Sequence, residues 1–153
     1  MSALNLTTTG VVAYCTTRNT FPAGFPIEGF ADGDALSVAS TQIADMIIGV
    51  DGQAGVYTFP SPKQLTVTLL PSSVAAKNFL LLASAMEKGG FFNDRLDEVS
   101  ISVALPAQGM SVTFTGGIMT EYPPMPNVKQ RLENVQFVFK FEKAEYTALP
   151  VNF

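Results

Sequence analysis

Apolar and polar residues alternate along several stretches of the chain, and the period is two. Leu65, Val67 and Leu69 fall on one side of an extended segment, with Gln64, Thr66 and Thr68 on the other. Val99, Ile101, Val103 and Leu105 alternate against Glu98, Ser100 and Ser102. Val112 and Phe114 alternate against Ser111, Thr113 and Thr115, and Val135, Phe137, Phe139 and Phe141 against Asn134, Gln136, Lys140 and Glu142. This spacing predicts strands with one face buried and one wet. Val11 to Tyr14 and Ala35 to Ala39 read as two shorter strands.

The period changes after Leu70. Pro71 ends the strand, Ser72 or Ser73 can cap a helix over about 73–88, and Gly89-Gly90 stops it. Ala75, Phe79, Leu82, Ala83 and Met86 form one apolar face, which Leu80 and Leu81 widen. The polar stripe of Ser73, Lys77, Ser84 and Lys88 is narrow, so the helix is expected to be covered on two sides.

Connections are marked by glycine and proline. Residues 16–34 hold turns and bends with Phe21, Phe25 and Phe30 among them; 106–109 reads as a hairpin link; Gly116-Gly117 reads as a bulge inside a long strand. Tyr122 to Pro126 reads as an extended loop. The segment 41–62 is very apolar for a connection, with Ile43, Met46, Ile47, Ile48 and Val50. Asp51-Gly52 signals a tight turn and makes 46–50 and 55–59 a hairpin. Such a segment either folds back on the core or projects and docks on a neighbour; projection is the favoured reading. The pattern is that of one mainly β, α+β domain over 1–153 with antiparallel sheet and a single helix, an N-terminal arm over about 1–10 and a C-terminal arm over about 146–153.

Composition sharpens this. Hydrophobic residues make up 47 % of the 153 positions, but charged ones only 14 %, well below the usual quarter. A domain this size normally needs charge to cover its outside. Either a Ser/Thr-rich surface substitutes for it, or neighbouring copies cover part of the molecule. Net charge is −4, and the Lys and Arg residues are scattered, so phosphate-gripping nucleic-acid binding is not expected. The start of the chain has no charged and apolar leader pattern, and the longest apolar run is far too short to span a bilayer, so a soluble, unexported protein is expected.

Candidate chemistry is sparse. There is no histidine, which removes histidine-based triads and general bases and most transition-metal sites. Asp32 and Asp34, or Asp94, Asp97 and Glu98, are possible carboxylate groups, but they read more simply as solvated turn residues. Asp32-Gly33-Asp34 lacks the later ligands of a calcium loop. The single cysteine, Cys15, reads as a small core residue rather than a nucleophile. No catalytic, cofactor-binding or metal site, and no cofactor, is expected; the chain is expected not to be an enzyme.

Gly33 to Val38, Ile48-Gly49-Val50-Asp51-Gly52, and Leu65 to Leu70 followed by Pro71-Ser72-Ser73 and a helix resemble, in order and spacing, the tail tube subunits of bacteriophages; the likeness covers about residues 28–145. The tubes of contractile bacteriocins and of type VI secretion are similar. The resemblance implies an antiparallel β-sandwich or half-barrel with one flanking helix. It implies homo-hexameric rings that stack into a hollow tail tube, through which DNA passes into the host without specific binding. It also implies sheath, baseplate and tape-measure partners, no membrane, and a place in the virion tail after assembly in the host bacterial cytoplasm. On that reading Ser37, Thr66, Thr68, Ser111, Thr113 and Thr115 are expected on the lumen face. Ile43, Met46, Ile47 and Ile48, with Leu80 and Leu81 of the helix, are expected at contacts between subunits. Three rivals stay open: a secretion-system or bacteriocin tube subunit, which the sequence separates poorly from a phage tube; another virion assembly protein, such as a capsid decoration or tail terminator subunit; and a small-ligand binding module or metal-independent enzyme with a monomeric pocket.

Overall fold

A computed structural model describes residues 11–18, 20–30, 35–89 and 98–148. The N-terminal arm, Asp32, Asp34, Asp94, Asp97 and residues 149–153 lie outside the described residues. In chain order the elements are β1 (Val12–Thr17), β2 (Phe25–Ile27), β3 (Leu36–Val38), β4 (Ala44–Ile48), β5 (Ala54–Thr58), β6 (Lys63–Leu69), α1 (Val74–Gly89), β7 (Val99–Leu105), β8 (Met110–Glu121) and β9 (Val135–Ala148). Seven strands form one antiparallel sheet in the order β2-β1-β7-β8-β9-β6-β3, and β4 and β5 form a separate pair. Of the two forms expected, this is the half-barrel with a flanking helix.

The alternating patterns set the register. Leu65, Val67 and Leu69 of β6 lie opposite Phe139, Phe137 and Val135 of β9, and Ile101 and Val103 of β7 lie opposite Phe114 and Val112 of β8. A slip of one residue would turn every one of these side chains to the wet face. All of them sit on the face that α1 covers. Ser73 wins over Ser72 as the helix cap: its Oγ accepts from the Ala76 N–H at 3.2 Å and donates to the Leu70 carbonyl at 2.8 Å. The cap fixes where α1 starts and so which face it buries. Ala75, Ala76, Phe79, Leu82 and Ala83 are buried. The Phe79 ring meets Phe25, Phe137 and Phe139 with centroids 5.1–5.4 Å apart, in the tilted and edge-on arrangements that aromatic quadrupoles favour. Cys15 belongs to the same core.

The Gly116-Gly117 pair does what the sequence suggests. Between Val99 and Ile101 two steps along β7 face three along β8, and Gly116 takes up the bulge with φ of +67°. Beside it, a Cβ on Gly117 would come within 2.1 Å of the Phe141 ring, so the glycine makes room for an aromatic in the neighbouring strand.

Several boundaries differ from expectation. β2 falls in the 16–34 stretch read as turns, because three residues interrupted by Pro26 carry too little alternation to register. β8 and β9 run longer than their patterns. β9 continues to Ala148, opposite Met110, so residues 146–148 of the expected C-terminal arm are strand. Residues 142–148 are all exposed, and a strand wet on both faces has no reason to alternate. The 106–109 link is a single 3-10 turn closed by Gly109 with φ of 69°.

Candidate functional site

The segment 41–62 builds the most unusual surface. Gly49 N–H donates to the Gln53 carbonyl at 2.8 Å and Gly52 N–H to the Gly49 carbonyl at 2.9 Å, while the Asp51 carboxylate accepts from Gln53 N–H at 3.1 Å. Gly52 has φ of +83°, which a residue with a Cβ adopts poorly. The turn therefore takes up 49–53, and Val50 sits in it rather than in a strand. That moves the paired strands to 44–48 and 54–58, where 46–50 and 55–59 were expected.

At its base the hairpin is tied down. Ser61 Oγ donates to the Gln42 carbonyl at 2.8 Å, and Lys63 Nζ reaches the carbonyls of Ser61 and Glu142. Beyond the base, none of the described residues covers it. Register places Met46 opposite Val56 and Ile48 opposite Ala54 on one face, with Asp45 opposite Tyr57 and Ile47 opposite Gly55 on the other. Tyr57 donates its hydroxyl to Asp45 at 3.0 Å. The first face is wholly apolar and the second carries Ile47 and Tyr57 beside Asp45, and both are exposed: Ile43, Met46, Ile47, Ile48 and Val56 are each 58 % or more accessible, and Val50 is wholly so. An isolated two-stranded ribbon is marginal in water, and an apolar patch of this kind marks a docking surface.

Two further surfaces bear on the expected contacts. On α1, Leu81 is exposed, whereas Leu80 is half-buried and packed on the core. Among the described residues α1 is covered on one side only, and Leu81 marks the other. The sheet face away from α1 gathers five of the six residues expected in the lumen. Ser37 lies opposite Thr66, and Thr66 opposite Val138. Thr113 lies between Ser102 and Glu145, and Ser111 between Ala104 and Thr147. Thr68 shares the face but is nearly buried, in a cleft of about 500 Å³ that Pro123, Met125 and Pro126 help to line. Thr115 stands at the bulge, opposite Lys143. The face carries both signs of charge, from Lys140 opposite Ile118 to Glu121 opposite Val138.

A third surface escapes the sequence reading. At the far end of β6 from the hairpin, the turn 128–134 stands beside Leu70 and Pro71 around an open cleft of about 840 Å³. Leu70 and Leu132 are exposed in its lining, and Val128, bridged to Leu132, is exposed beside it. Lys129 and Glu133 pair at 2.8 Å, and this contact with Lys129, helped by Asn127, holds the Glu133 carboxyl below its ordinary range. The available signal was two aliphatic residues, Val128 and Leu132, in an otherwise polar run. Among the described residues no group of three or more acidic or cysteine side chains is placed to hold a metal. No helix of the described residues is long and apolar enough to cross a membrane.

The family described as tail fiber protein gp32 matches residues 4–145. Among solved structures, the PVC sheath/tube terminator of an extracellular contractile injection system aligns over 97 % of this chain and 100 % of its own, with a TM-score of 0.60 and 8 % identity. A chain of the anti-feeding prophage baseplate aligns over 99 % and 100 %, with a TM-score of 0.61 and 10 % identity. A chain of the cap that terminates the anti-feeding prophage tube aligns over 97 % and 95 %, at 0.53 and 12 %. At such identities the likeness is one of fold. No curated protein matches the sequence significantly.

Proposed function

The chain belongs to the tail fiber protein gp32 family, and from that membership we propose that it is a wall subunit of a phage tail tube. Copies form a hexameric ring, rings stack, and DNA passes through the hole into the host. The observation that carries this reading is the hairpin, which exposes apolar side chains on both faces that none of the described residues covers. Heterologous contacts of one such element with a different surface on the next copy generate rings or stacks. Among the described residues the short strands β2 and β3 end the sheet at its two sides, so neighbours can continue it and remove edges that would otherwise invite aggregation. The face bearing Ser37, Thr66, Ser111 and Thr113 then lines the hole. Its mixed charge offers DNA phosphates no cationic track, so DNA slides without sticking. Sheath, baseplate and tape-measure proteins are the partners outside and inside, with Leu81 available on the outer helix. Assembly takes place in the host cytoplasm. A sheet with open edges and one covering helix suits a ring wall better than a fibre shaft.

A second reading is supported by the full-length fold match to a tube terminator and a tube cap. On it, the chain closes one ring and stops. Negative-stain microscopy with light scattering of the purified protein separates the outcomes: lengthening tubes support the tube wall, single rings the terminator, and a hydrated monomer at every concentration neither. Met46→Asp with Ile48→Asp should abolish assembly and leave the fold intact.

A further inference from the structure

We infer that the hairpin of one copy docks into the cleft between Leu70 and the 128–134 turn of the next copy, so that subunits join head to tail along the direction of β6. The inference rests on the reading above, that the hairpin is a docking element, and names the surface that receives it.

Position comes first. The hairpin enters and leaves the body at the Lys63 end of β6: its base bonds to Lys63, and Ala39 N–H donates to the Gln64 carbonyl at 3.2 Å. The receiving cleft lies at the other end, where Leu69 pairs with Val135 and the chain turns at Leu70 and Pro71. The two surfaces are separated by the length of a seven-residue strand, about 20 Å. They do not cover one another within the chain, where both stay exposed; successive copies in the same orientation bring them together.

Chemistry agrees with position. The hairpin ends in Ile48 and the fully exposed Val50; the cleft presents Leu70 and Leu132, each close to half exposed. Residues 39–62 carry Asp45 and Asp51 and no basic residue. The turn carries Lys129, Arg131 and Glu133; Lys129 forms the salt bridge to Glu133, and Arg131 acts on the same carboxylate only through its charge, so the turn keeps a net positive charge. Asp51 at the hairpin tip is its complement. Opposite charges on the two ends favour head-to-tail contact and oppose tip-to-tip pairing, where Asp51 would face Asp51. A cleft of about 840 Å³ has room for a turn bearing one valine and one isoleucine.

Cysteine pairing tests this directly, because the native Cys15 is fully buried. Val50→Cys and Leu132→Cys are made separately, mixed at assembly concentration and oxidised. Head-to-tail docking predicts a disulfide-linked heterodimer from the mixture, a ladder from the double variant, and at least tenfold less product from either single variant alone. Arg131→Asp should weaken assembly, and adding Asp51→Lys should restore it in part. If Met46→Asp with Ile48→Asp abolishes assembly but Val50→Cys never joins Leu132→Cys, the hairpin docks elsewhere: this inference fails and the proposed function stands. If the hairpin changes leave assembly untouched, or no assembly or cross-link forms at the highest attainable concentration, both fail.

Discussion

The β6–β9–α1 region and the β4–β5 hairpin are built from the same kinds of residue and have opposite fates. In the first, Leu65, Val67, Phe137, Phe139 and Phe79 are sealed from water by one another. In the second, Met46, Ile47, Ile48 and Val56 pair correctly across the ribbon and stay in water. The difference lies in what stands over each surface. α1 lies over the sheet, while the hairpin is a separate pair that no other element of the described residues covers. Burying an aliphatic or methionine side chain is worth roughly 1.5–3 kcal/mol. The chain has already gained this for its core and still holds it in reserve on the hairpin. Reserve of that kind is usable only in a contact with another molecule, and the low charge content of the chain points the same way.

Substitutions can set the two regions against each other. Phe79→Ala should cost most, about 3–5 kcal/mol of unfolding free energy in denaturant titration, because three aromatic partners lose their shared neighbour. Gly117→Ala should cost about 1–3 kcal/mol by the same measurement, since the Phe141 ring already fills the place of the new methyl group. Ser73→Ala should cost about 1 kcal/mol and shift the start of α1 in its amide protection, through loss of the cap. Met46→Asp with Ile48→Asp should change monomer stability by no more than about 0.5 kcal/mol, as expected for exposed positions. Yet it is the one change of the four that should remove assembly with the monomer still folded. Leu81→Asp, also exposed, should be as quiet in the monomer, and a loss of sheath binding without loss of rings would place the helix on the outside.

The same contrast explains what the sequence made legible. β6, β7 and the first half of β9 were readable because one face is buried, and burial is what enforces the alternation of Val99, Ile101 and Val103. The start of α1 was readable from Ser73, whose hydroxyl has a definite backbone partner. β2 and the second half of β9 were not, since Pro26 breaks a three-residue strand and residues 142–148 are wet on both faces. Asp51-Gly52 announced the hairpin turn, but the extra turn residue that moved both strands depends on the Gly49–Gln53 bond, which spacing alone does not reveal. The exposure of the hairpin was signalled only indirectly, by too many apolar residues in a connection. Leu80 and Leu81 looked alike in sequence; helical spacing sets Leu80 in line with the buried Ala76 and Ala83 and Leu81 in line with the exposed Lys77. The cleft at Leu70 and Leu132 joins residues far apart in the chain, and no local pattern brings them together.

Amide hydrogen exchange, compared between the unassembled and assembled protein, probes the central claim most directly. If the hairpin is a surface completed by a neighbour, amides of 44–48 and 54–58 should exchange within seconds in the monomer, while those of β6 and β9 are held for hours, and assembly should slow the hairpin amides by at least a hundredfold. Hairpin amides already as protected as those of β6 in the monomer, or unchanged on assembly, would contradict it.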